Sequence, residues 1–488
     1  APLHLRIAAM VLLFSSLTFV YLFLSSPAVV SAWSGSNSWA GATILAVAWA
    51  VGVGLLERGA APGPRALMGW NISFVASLLI GLWLCRVEFP LTPGQVTVVN
   101  GMGSRMNSLP FYIAYLLSPV LLFNVQWVES VCAARRSRDF ALPVILGMGL
   151  LVLVTILLIF TNAWGYVGPL GPPLRNRFYL PFAVAGLGTV LPLLVSFPLK
   201  HFSFSTGPGL SRPASIALVL AALAMVGAWV NTARPAIPAA DRKELTILTY
   251  NMQQGSADGD TEGPGAGKRN YTAQLEFIRS VNADIIGLQE SDTARPSGGN
   301  VNAPLYFAQK LGYHLYYGPS TVAGTFGTAI LSRYPLENPR TFYTYSTVDE
   351  VGTAVAEIEV GGRRIAIFNN HPAGPPEVMH AHVDALVQEI GQYEHVISVG
   401  DYNFEQSEPY YAKLATVLKD SWLSLNPNGV GGLSSLSIEG GFSSFPLDMR
   451  DRIDHIFVSR SFGVAEAYYV PPPESETDHP AHWAKVQW

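Results

Sequence analysis

The stretch that decides the fold of the C-terminal half is VISVGDYNFEQ, residues 396–406. Residues 396–400 are mostly apolar, which is typical of a buried strand. Asp401 and Asn403 then follow, two residues apart. A turn is one interpretation, because Gly-Asp and Asn are common turn residues. The alternative is a pair of functional side chains that face the same way at the end of a strand.

Other polar residues occupy the same kind of position, in or just after a short apolar stretch. They are Asn251 after ILTY, Glu290 after DIIGLQ, His371 after IAIFNN, Asp401 and Asn403 after VISVG, Asp454 in RIDHIF, and Asp478 and His479 in ETDHP. The ends of strands in α/β proteins meet at one edge of the sheet, where ligands bind. The pattern therefore predicts one functional site rather than a series of unrelated turns.

The residue types at this predicted site indicate metal-assisted chemistry on phosphate. Carboxylate and amide oxygens suit a hard divalent cation such as Mg²⁺, which keeps several waters that a substrate can displace. A histidine oriented by an aspartate can take a proton from water or an alcohol, while a metal and amide donors stabilise charge on phosphate. The sequence offers no cluster of Cys and His residues for a zinc site.

The first half of the chain has a different composition. Residues 1–240 carry 13 Lys or Arg and 4 Asp or Glu, a charge of +9, whereas residues 241–488 carry 17 and 30, a charge of −13. Apolar runs of near-spanning length recur at about 6–25, 38–56, 66–85, 108–128, 141–161, 178–198 and 213–233. We therefore predict a multi-span α-helical membrane domain of about seven helices over residues 1–233.

Positive charges in the short loops predict its orientation. With the N-terminus inside, the inner segments carry Arg6, Arg58, Arg65, Arg135, Arg136, Arg138, Lys200 and Arg212, and the outer loops carry Arg86, Arg105, Arg175 and Arg177. An odd number of spans then puts the C-terminal half on the non-cytoplasmic side, lumenal or periplasmic. A Pro/Ala-rich linker, residues 234–244, holds it near the bilayer.

From residue 245 to 488, strand-like and helix-like patterns alternate, which predicts a single α/β domain. Residues 272–281, 304–311, 376–393 and 408–418 have helical patterns. His380 and His382 lie two apart in one of these helices, so they face different ways and make a poor metal pair. We interpret both as surface histidines.

The ordered set TYNM, LQES, NNH, GDYN, RIDHIF and TDHP resembles the endonuclease/exonuclease/phosphatase superfamily, which includes DNase I-like nucleases and inositol polyphosphate phosphatases. The resemblance covers nearly all of residues 244–488 and implies a four-layer α/β sandwich with two packed sheets. It also implies roles for the residues that match the motifs.

In that resemblance Glu290 is the principal Mg²⁺ ligand, with Asn251 beside it and Asp478 near the metal. Asp401 orients or activates the nucleophile, and Asn403 binds the phosphate. His479, oriented by Asp454, serves as general base or phosphate contact. His371 stabilises the transition state or protonates the leaving group. Further candidates for contacts with substrate phosphate are Asn370, Arg450 and Arg452.

The stretches QESDTARPSGGN (289–300) and LGYHLYYGPSTVAGTFGTAILSRYP (311–335) resemble the C-terminal part of the Cwh43/PGAP2-interacting-protein family. That family also joins a multi-spanning region to such a domain and is associated with remodelling the lipid of glycosylphosphatidylinositol (GPI) anchors. The resemblance implies a membrane phospholipid substrate with a phosphoinositol-type headgroup, and ceramide as an acceptor in place of water.

The leading interpretation is thus an integral membrane phosphodiesterase that uses Mg²⁺, or Mn²⁺ in its place, on a phospholipid headgroup. A membrane-anchored nuclease is an alternative, but nucleic acid is not an expected partner, because the charge of −13 opposes binding to phosphate backbones. A polyprenyl-pyrophosphate phosphatase is another alternative. A catalytically inactive lipid-binding scaffold is a third, although every motif position is filled.

Overall fold

The computed structural model divides the chain into two compact units. The described residues are 2–101, 105–132, 137–162, 164–195, 212–230, 233, 235–236, 238, 241–255, 270–295, 298–318, 327–427, 452–470, 477 and 479–488. One unit comprises Ala1–Arg86 and Gly103–Asn231, and the other comprises Val87–Met102 and Thr232–Trp488. The division differs from a single boundary at residue 233, because Val87–Met102 belongs to the second unit.

The first unit is helical. Its α-helices are Leu3–Phe19, Pro27–Ser34, Ser38–Glu57, Pro64–Leu84, Arg105–Leu117, Val120–Cys132, Ala141–Asn162, Tyr179–Leu194 and Arg212–Val230. Among the described residues, five apolar segments are long enough to cross a membrane: Leu3–Leu24, Ser38–Glu57, Pro64–Leu84, Ser108–Cys132 and Ala141–Asn162. The expected number was about seven.

The predicted sixth and seventh spans form shorter apolar helices over Tyr179–Leu194 and Ala214–Val230. The first of these has 16 residues. At 1.5 Å per residue it rises about 24 Å, less than the roughly 30 Å of a bilayer core. Among the described residues, hydrophobicity alone therefore predicted more full-length helices than the five that the structure contains.

Two asparagines hydrogen-bond each other inside the first unit. The Nδ2 of Asn71 donates to Oδ1 of Asn124 at 2.9 Å, and the Nδ2 of Asn124 donates back to Asn71 at 3.0 Å and to Ser16 at 3.1 Å. Both amides are fully buried. Polar contacts of this kind hold apolar helices together where the hydrophobic effect cannot.

The second unit contains two β-sheets. Its strands are β1 Val96–Asn100, β2 Glu244–Asn251, β3 Ile285–Gln289, β4 His314–Gly318, β5 Thr328–Ser332, β6 Glu337–Thr344, β7 Val351–Val360, β8 Arg363–Asn370, β9 Val396–Asp401, β10 Lys419–Asp420, β11 Asp454–Val458, β12 Gly463–Val470 and β13 Ala481–Gln487. Among the described residues, one sheet has the order β1-β6-β7-β8-β9-β11-β10 and the other β12-β13-β2-β3-β5-β4.

The two sheets pack face to face. Ile247 and Ile330 of one sheet join Ile367, Val399 and Ile456 of the other in a buried apolar cluster. Helices lie on the outer faces: Tyr271–Val281 and Ala303–Leu311 on one side, Pro376–Ile390 and Pro409–Leu414 on the other. The short helix Ser421–Leu425 places Trp422 in the cluster between the sheets. This is the predicted four-layer α/β sandwich, so the predicted fold class is confirmed.

An edge strand of this sandwich comes from the segment between two apolar helices. β1 pairs antiparallel with β6, from Val96 opposite Thr344 to Asn100 opposite Arg340. Just before it, Phe89 packs edge-on against Tyr343, with ring centroids 4.9 Å apart. The sequence did not predict this strand, which lies in a stretch interpreted as a loop between spans.

Candidate active site

Four strand ends bring the candidate site residues to one edge of the sandwich. β2 and β3 are parallel neighbours in one sheet, and β8 and β9 are parallel neighbours in the other. Asn251 and Asp401 are the last residues of β2 and β9, while Glu290 and His371 directly follow β3 and β8. The strand-end pattern thus locates all four residues at the same edge.

The two sheets approach closely beneath this edge. A Cβ atom at Gly287 of β3 would lie 2.4 Å from Cγ2 of Val399 in β9. Only glycine therefore fits at this point of β3. This close packing lets side chains from the two sheets hydrogen-bond directly.

Asp401 lies at the centre of the site. Its Oδ2 accepts a hydrogen bond from Nδ2 of Asn251 at 3.0 Å, and lies 3.3 Å from Nε2 of His371 and 3.6 Å from Nε2 of His479. Burial opposes its ionisation, but the charge of His479 and the hydrogen bonds from His371 and Asn251 lower the pKa of Asp401. Asp401 is therefore a carboxylate at neutral pH.

His371 is the cationic counterpart of Asp401. Burial disfavours its charged form. The hydrogen bond to Asp401, together with the negative charges of Asp401 and Glu290, outweighs that effect and raises the pKa of His371. A protonated His371 can stabilise charge on a phosphate or donate a proton.

His479 and Asp454 form a hydrogen-bonded dyad. Nδ1 of His479 lies 2.9 Å from Oδ2 of Asp454, which is the first residue of β11 and pairs with Asp401 across the ladder. Burial raises the pKa of Asp454. With Nδ1 fixed by this bond, Nε2 of His479 faces Asp401.

Two residues of the site have left-handed backbone conformations. Glu290 has φ of 46° and Asn403 has φ of 50°. Asn tolerates this region, whereas Glu rarely adopts it, and such strain is concentrated at functional sites. The backbone N–H of Asn403 donates to Oδ1 of Asp401 at 3.0 Å, and its side-chain amide donates to the carbonyl of Pro372 at 3.0 Å.

The donor set fits a divalent cation. Asp401, Asp454 and His479 offer ligand atoms that all lie within 4.8 Å of one another. Because Nδ1 of His479 is already bonded to Asp454, we regard these two as a dyad. The half-buried carboxylate of Glu290, 3.2 Å from Nδ2 of Asn251, supplies the oxygen ligand that Mg²⁺ prefers.

The structure gives other partners to two of the predicted phosphate contacts. Asn370 is fully buried, and its Nδ2 donates to Ser398, Val399 and the hydroxyl of Tyr402. Arg452 is also fully buried and donates to Asp420, Tyr469 and Gln406. Neither side chain is exposed to a substrate in this structure. Arg450 and Asp478 lie outside the described residues.

The buried Arg452 supports the dyad indirectly. Its Nη1 lies 3.2 Å from the hydroxyl of Tyr469, which donates in turn to the backbone carbonyl of Asp454 at 2.6 Å. The sequence identified Arg452, with Arg450, as one of two arginines that flank Asp451, but it could not show that the guanidinium of Arg452 faces inward.

A buried amide network beneath the site was not predicted. Nε2 of Gln289 donates to Thr249 at 3.0 Å and to Oδ1 of Asn369 at 2.6 Å, and the Nδ2 of Asn369 donates to the carbonyls of Leu288 and Ala329. The network joins the two sheets. Gln289 and Asn369 each precede a predicted site residue, and that adjacency was the available signal.

A cation near Glu290 was also missed. Arg295 forms an ion pair with Asp292 in the loop after β3. Burial lowers the pKa of Arg295, and the negative charges of Asp349 and Glu290 partly oppose the shift. Both residues belong to QESDTARPSGGN, where the sequence marked a family resemblance but assigned no role.

Residues 248–479 match the model of the Endonuclease/Exonuclease/phosphatase family. The C-terminal domain is therefore an endonuclease/exonuclease/phosphatase domain, as its motifs predicted. The chain is also 33% identical over 97 residues to Protein cwh43 of Schizosaccharomyces pombe. This match covers 20% of the chain and 10% of that relative, so the chain spans only a small part of the relative's length.

Solved structures similar to this chain each cover about half of it. The mannosyl-6-phosphatase Bt3783 of Bacteroides thetaiotaomicron has 19% identity and a TM-score of 0.39, covering 50% of this chain and 100% of that one. Truncated TDP2 of Caenorhabditis elegans has 18% identity and a TM-score of 0.38, covering 50% and 98%.

Proposed function

We propose that this protein is a membrane-bound, divalent-metal-dependent phosphodiesterase that acts on the headgroup of a phospholipid. One observation carries the proposal: Asp401 lies within 3.6 Å of Asn251, His371 and His479 in a chain whose described residues include five helices long enough to span a membrane. The polar residues around Asp401 are those needed for phosphoester cleavage, and the apolar helices keep them near lipid.

The residues divide the work as follows. Asp401 orients a water, and His479, held by Asp454, takes its proton as the water oxygen bonds to phosphorus. The bond from phosphorus to the lipid alcohol oxygen breaks, and protonated His371 gives that oxygen a proton. Asn403 hydrogen-bonds the phosphate. Mg²⁺, or Mn²⁺ in its place, would neutralise phosphate charge when bound by Glu290, Asn251 and Asp478.

Two features favour a lipid substrate over nucleic acid: the negative charge of the catalytic domain and its attachment to apolar helices. The charge of −13 over residues 241–488 opposes a nucleic-acid backbone. Attachment to apolar helices raises the effective concentration of lipid at the site. Within this class we propose a phosphoinositol-type headgroup, released by water or transferred to ceramide, as in GPI-lipid remodelling.

We also propose that the catalytic domain lies on the non-cytoplasmic side. Strand β1 follows the third candidate span and is hydrogen-bonded into the catalytic domain. The segment that carries β1 and the C-terminal domain must therefore be on the same side of a membrane. An odd number of spans before each of them satisfies this condition, and the arginine bias of the loops makes that side the outer one.

The experiment uses the purified full chain in mixed micelles with Mg²⁺. Phosphatidylinositol and sphingomyelin, each with and without ceramide, are offered beside plasmid DNA. We expect diacylglycerol from phosphatidylinositol, or phosphoinositol moved onto ceramide, and loss of either product when EDTA removes the metal. Added Mg²⁺ should restore it.

The control is a pair of matched variants. Asp401→Asn should abolish turnover, whereas Asp384→Asn, at an exposed carboxylate outside the site, should not. Nicked DNA with intact lipid would replace this proposal with the nuclease. No turnover of any substrate would favour the lipid-binding scaffold.

A further inference from the structure

A cavity lined by both apolar and basic residues lies in the catalytic domain, away from the site described above. Its volume is about 380 Å³, and Arg279, Lys310, Arg333, Asn282 and Tyr313 contribute to its lining. Arg333 directly follows β5, beside the beginning of β3, whereas Glu290 follows the other end of β3. The length of β3, about 17 Å, separates the two places.

The cavity carries an excess of positive charge. Arg333 donates to the hydroxyl of Tyr313 at 2.7 Å, and its Nη1 lies 3.3 Å from Asp284. The carboxylate of Asp284 is fully buried and also pairs with Arg242 at 2.7 Å. Arg242 also lies 3.6 Å from Glu244. The two arginines are therefore balanced by two carboxylates, and the excess positive charge comes from the other two cations of the cavity.

The other two cations have no carboxylate partner within the described part of the chain. Arg279 donates to the backbone carbonyl of Lys310 at 3.5 Å, and the ammonium of Lys310 lies 6.0 Å from the centroid of the Tyr306 ring. Both side chains belong to exposed residues. In a domain whose overall charge is strongly negative, this is a local concentration of cations.

The cavity is also close in sequence to the last apolar helix. That helix ends at Val230, and Ala236 and Pro238 of the linker line the cavity. Six residues of extended chain reach at most about 20 Å. A headgroup that projects from a bilayer at this helix is therefore within reach.

We propose that this cavity binds the phosphate-bearing headgroup of an anionic phospholipid. Arg279 and Lys310 would pair with the phosphate through charge-assisted hydrogen bonds, and Asn282 and Tyr313 supply further polar groups. No catalytic residue lines the cavity, so the proposal does not depend on the reaction proposed above.

The test titrates the full chain in neutral detergent with phosphatidylglycerol or phosphatidylcholine and follows the rise in its thermal unfolding midpoint. Phosphatidylglycerol should bind at least about tenfold more tightly than phosphatidylcholine. Arg279→Gln combined with Lys310→Gln should weaken phosphatidylglycerol binding by about tenfold or more, since each basic residue near a membrane surface contributes substantially to binding of anionic lipid.

Two further variants keep the result interpretable. Arg364→Gln combined with Lys485→Gln changes the net charge equally outside the cavity and should leave affinity within about twofold. Arg279→Lys combined with Lys310→Arg keeps the charge and should retain binding. Equal losses in both neutralising pairs, or no preference for phosphatidylglycerol, would overturn the proposal.

The source of the anion is tested in the same assay. Inorganic phosphate and soluble glycerol phosphate are added in place of lipid. Protection by either of them at the concentration at which phosphatidylglycerol protects would make the cavity a site for a soluble anion and would overturn assignment to a lipid. Protection by the lipid alone supports it.

Discussion

At the scale of single residues, Asp454 is a buried carboxylate that orients the proposed general base, His479. Its carboxylate is buried and accepts from Nδ1 of His479 at 2.9 Å, which fixes the tautomer that presents Nε2 toward Asp401. An amide at this position can offer a donor to Nδ1 and reverse that tautomer. Asp454 is therefore a sharper probe of the dyad than His479 itself.

We expect Asp454→Asn to lower kcat by about 10²–10⁴-fold with little change in KM, the range found when a base loses its orienting carboxylate. The measurement is steady-state turnover of the lipid identified in the micelle assay, with Asp384→Asn as the control. A rate within threefold of the parent would show that the dyad has no part in the reaction.

The two histidines of the helix Pro376–Ile390 differ in their surroundings. His380 is exposed, whereas His382 is fully buried with Nδ1 3.1 Å from the hydroxyl of Thr344. The interpretation of both as surface residues was wrong for His382. The sequence separated their faces, but it could not show that one face packs on a sheet.

Burial lowers the pKa of His382 to about 3, from an ordinary value near 6.5. Unfolding exposes it, so below pH 6.5 the unfolded chain binds a proton that the folded chain does not. The free energy of unfolding should then fall by about 1.4 kcal/mol per pH unit between pH 6.5 and 4 because of this residue. Above pH 6.5, His382 is neutral in both states and causes no loss of free energy of unfolding.

Denaturant titrations of the full chain at several pH values in this window measure the slope. His382→Gln should reduce it by about that amount, and His380→Gln should leave it unchanged. Equal slopes in the parent and the His382 variant would exclude His382 as a source of acid sensitivity.

At the scale of elements, the strands of the catalytic domain that could be predicted from the sequence are apolar stretches that end in a polar residue. The stretches around Asn251, Glu290, His371 and Asp401 form β2, β3, β8 and β9 as expected. β6 has no such sequence signal, because ENPRTFYT includes a proline and several polar residues; in the structure its pairing with β7 is irregular between Glu337 and Arg340. Such a strand is specified by its neighbours more than by its own residues.

The contact between Phe89 and Tyr343 should be the main attachment of β1 to the domain. Phe89 is 6% exposed, while Leu91, two residues later, is 72% exposed. Phe89→Ala should destabilise the domain by about 3–5 kcal/mol, whereas Leu91→Ala should have little effect. The unfolding midpoints of the two variants are compared, and equal midpoints would show that the contact between Phe89 and Tyr343 does not contribute to stability.

At the scale of the whole molecule, the sequence separated two parts by charge and hydrophobicity but placed their boundary at one point. It could not assign Val87–Met102 to the catalytic unit, because β1 has only five residues and pairs with a strand distant in sequence. Long-range pairing of this kind leaves no local pattern. The candidate site was more predictable, because Asn251, Glu290, His371 and Asp401 each lie at or directly after the end of an apolar strand.

Membrane topology gives a prediction for the entire chain. In a background with Cys85 and Cys132 replaced by alanine, single cysteines are introduced at the exposed positions Gln95 and Gly59 and at the partly exposed position Glu466. A membrane-impermeant thiol reagent applied to the non-cytoplasmic face of sealed membranes should label positions 95 and 466 together and leave position 59 unlabelled. Labelling of position 95 without labelling of position 466 would contradict the proposal that β1 and the C-terminal domain lie on the same side of the membrane.

The origin of β1 also has a consequence for biosynthesis. Its residues are translated before those of β6, and several apolar helices are made between them. β1 therefore stays unpaired until β6 has been synthesised. During that time β1 is attached to an apolar helix on each side. A fragment begun at the linker would leave β6 as an unpaired edge prone to self-association. An active soluble enzyme should thus require residues 87–102 to be grafted back onto it.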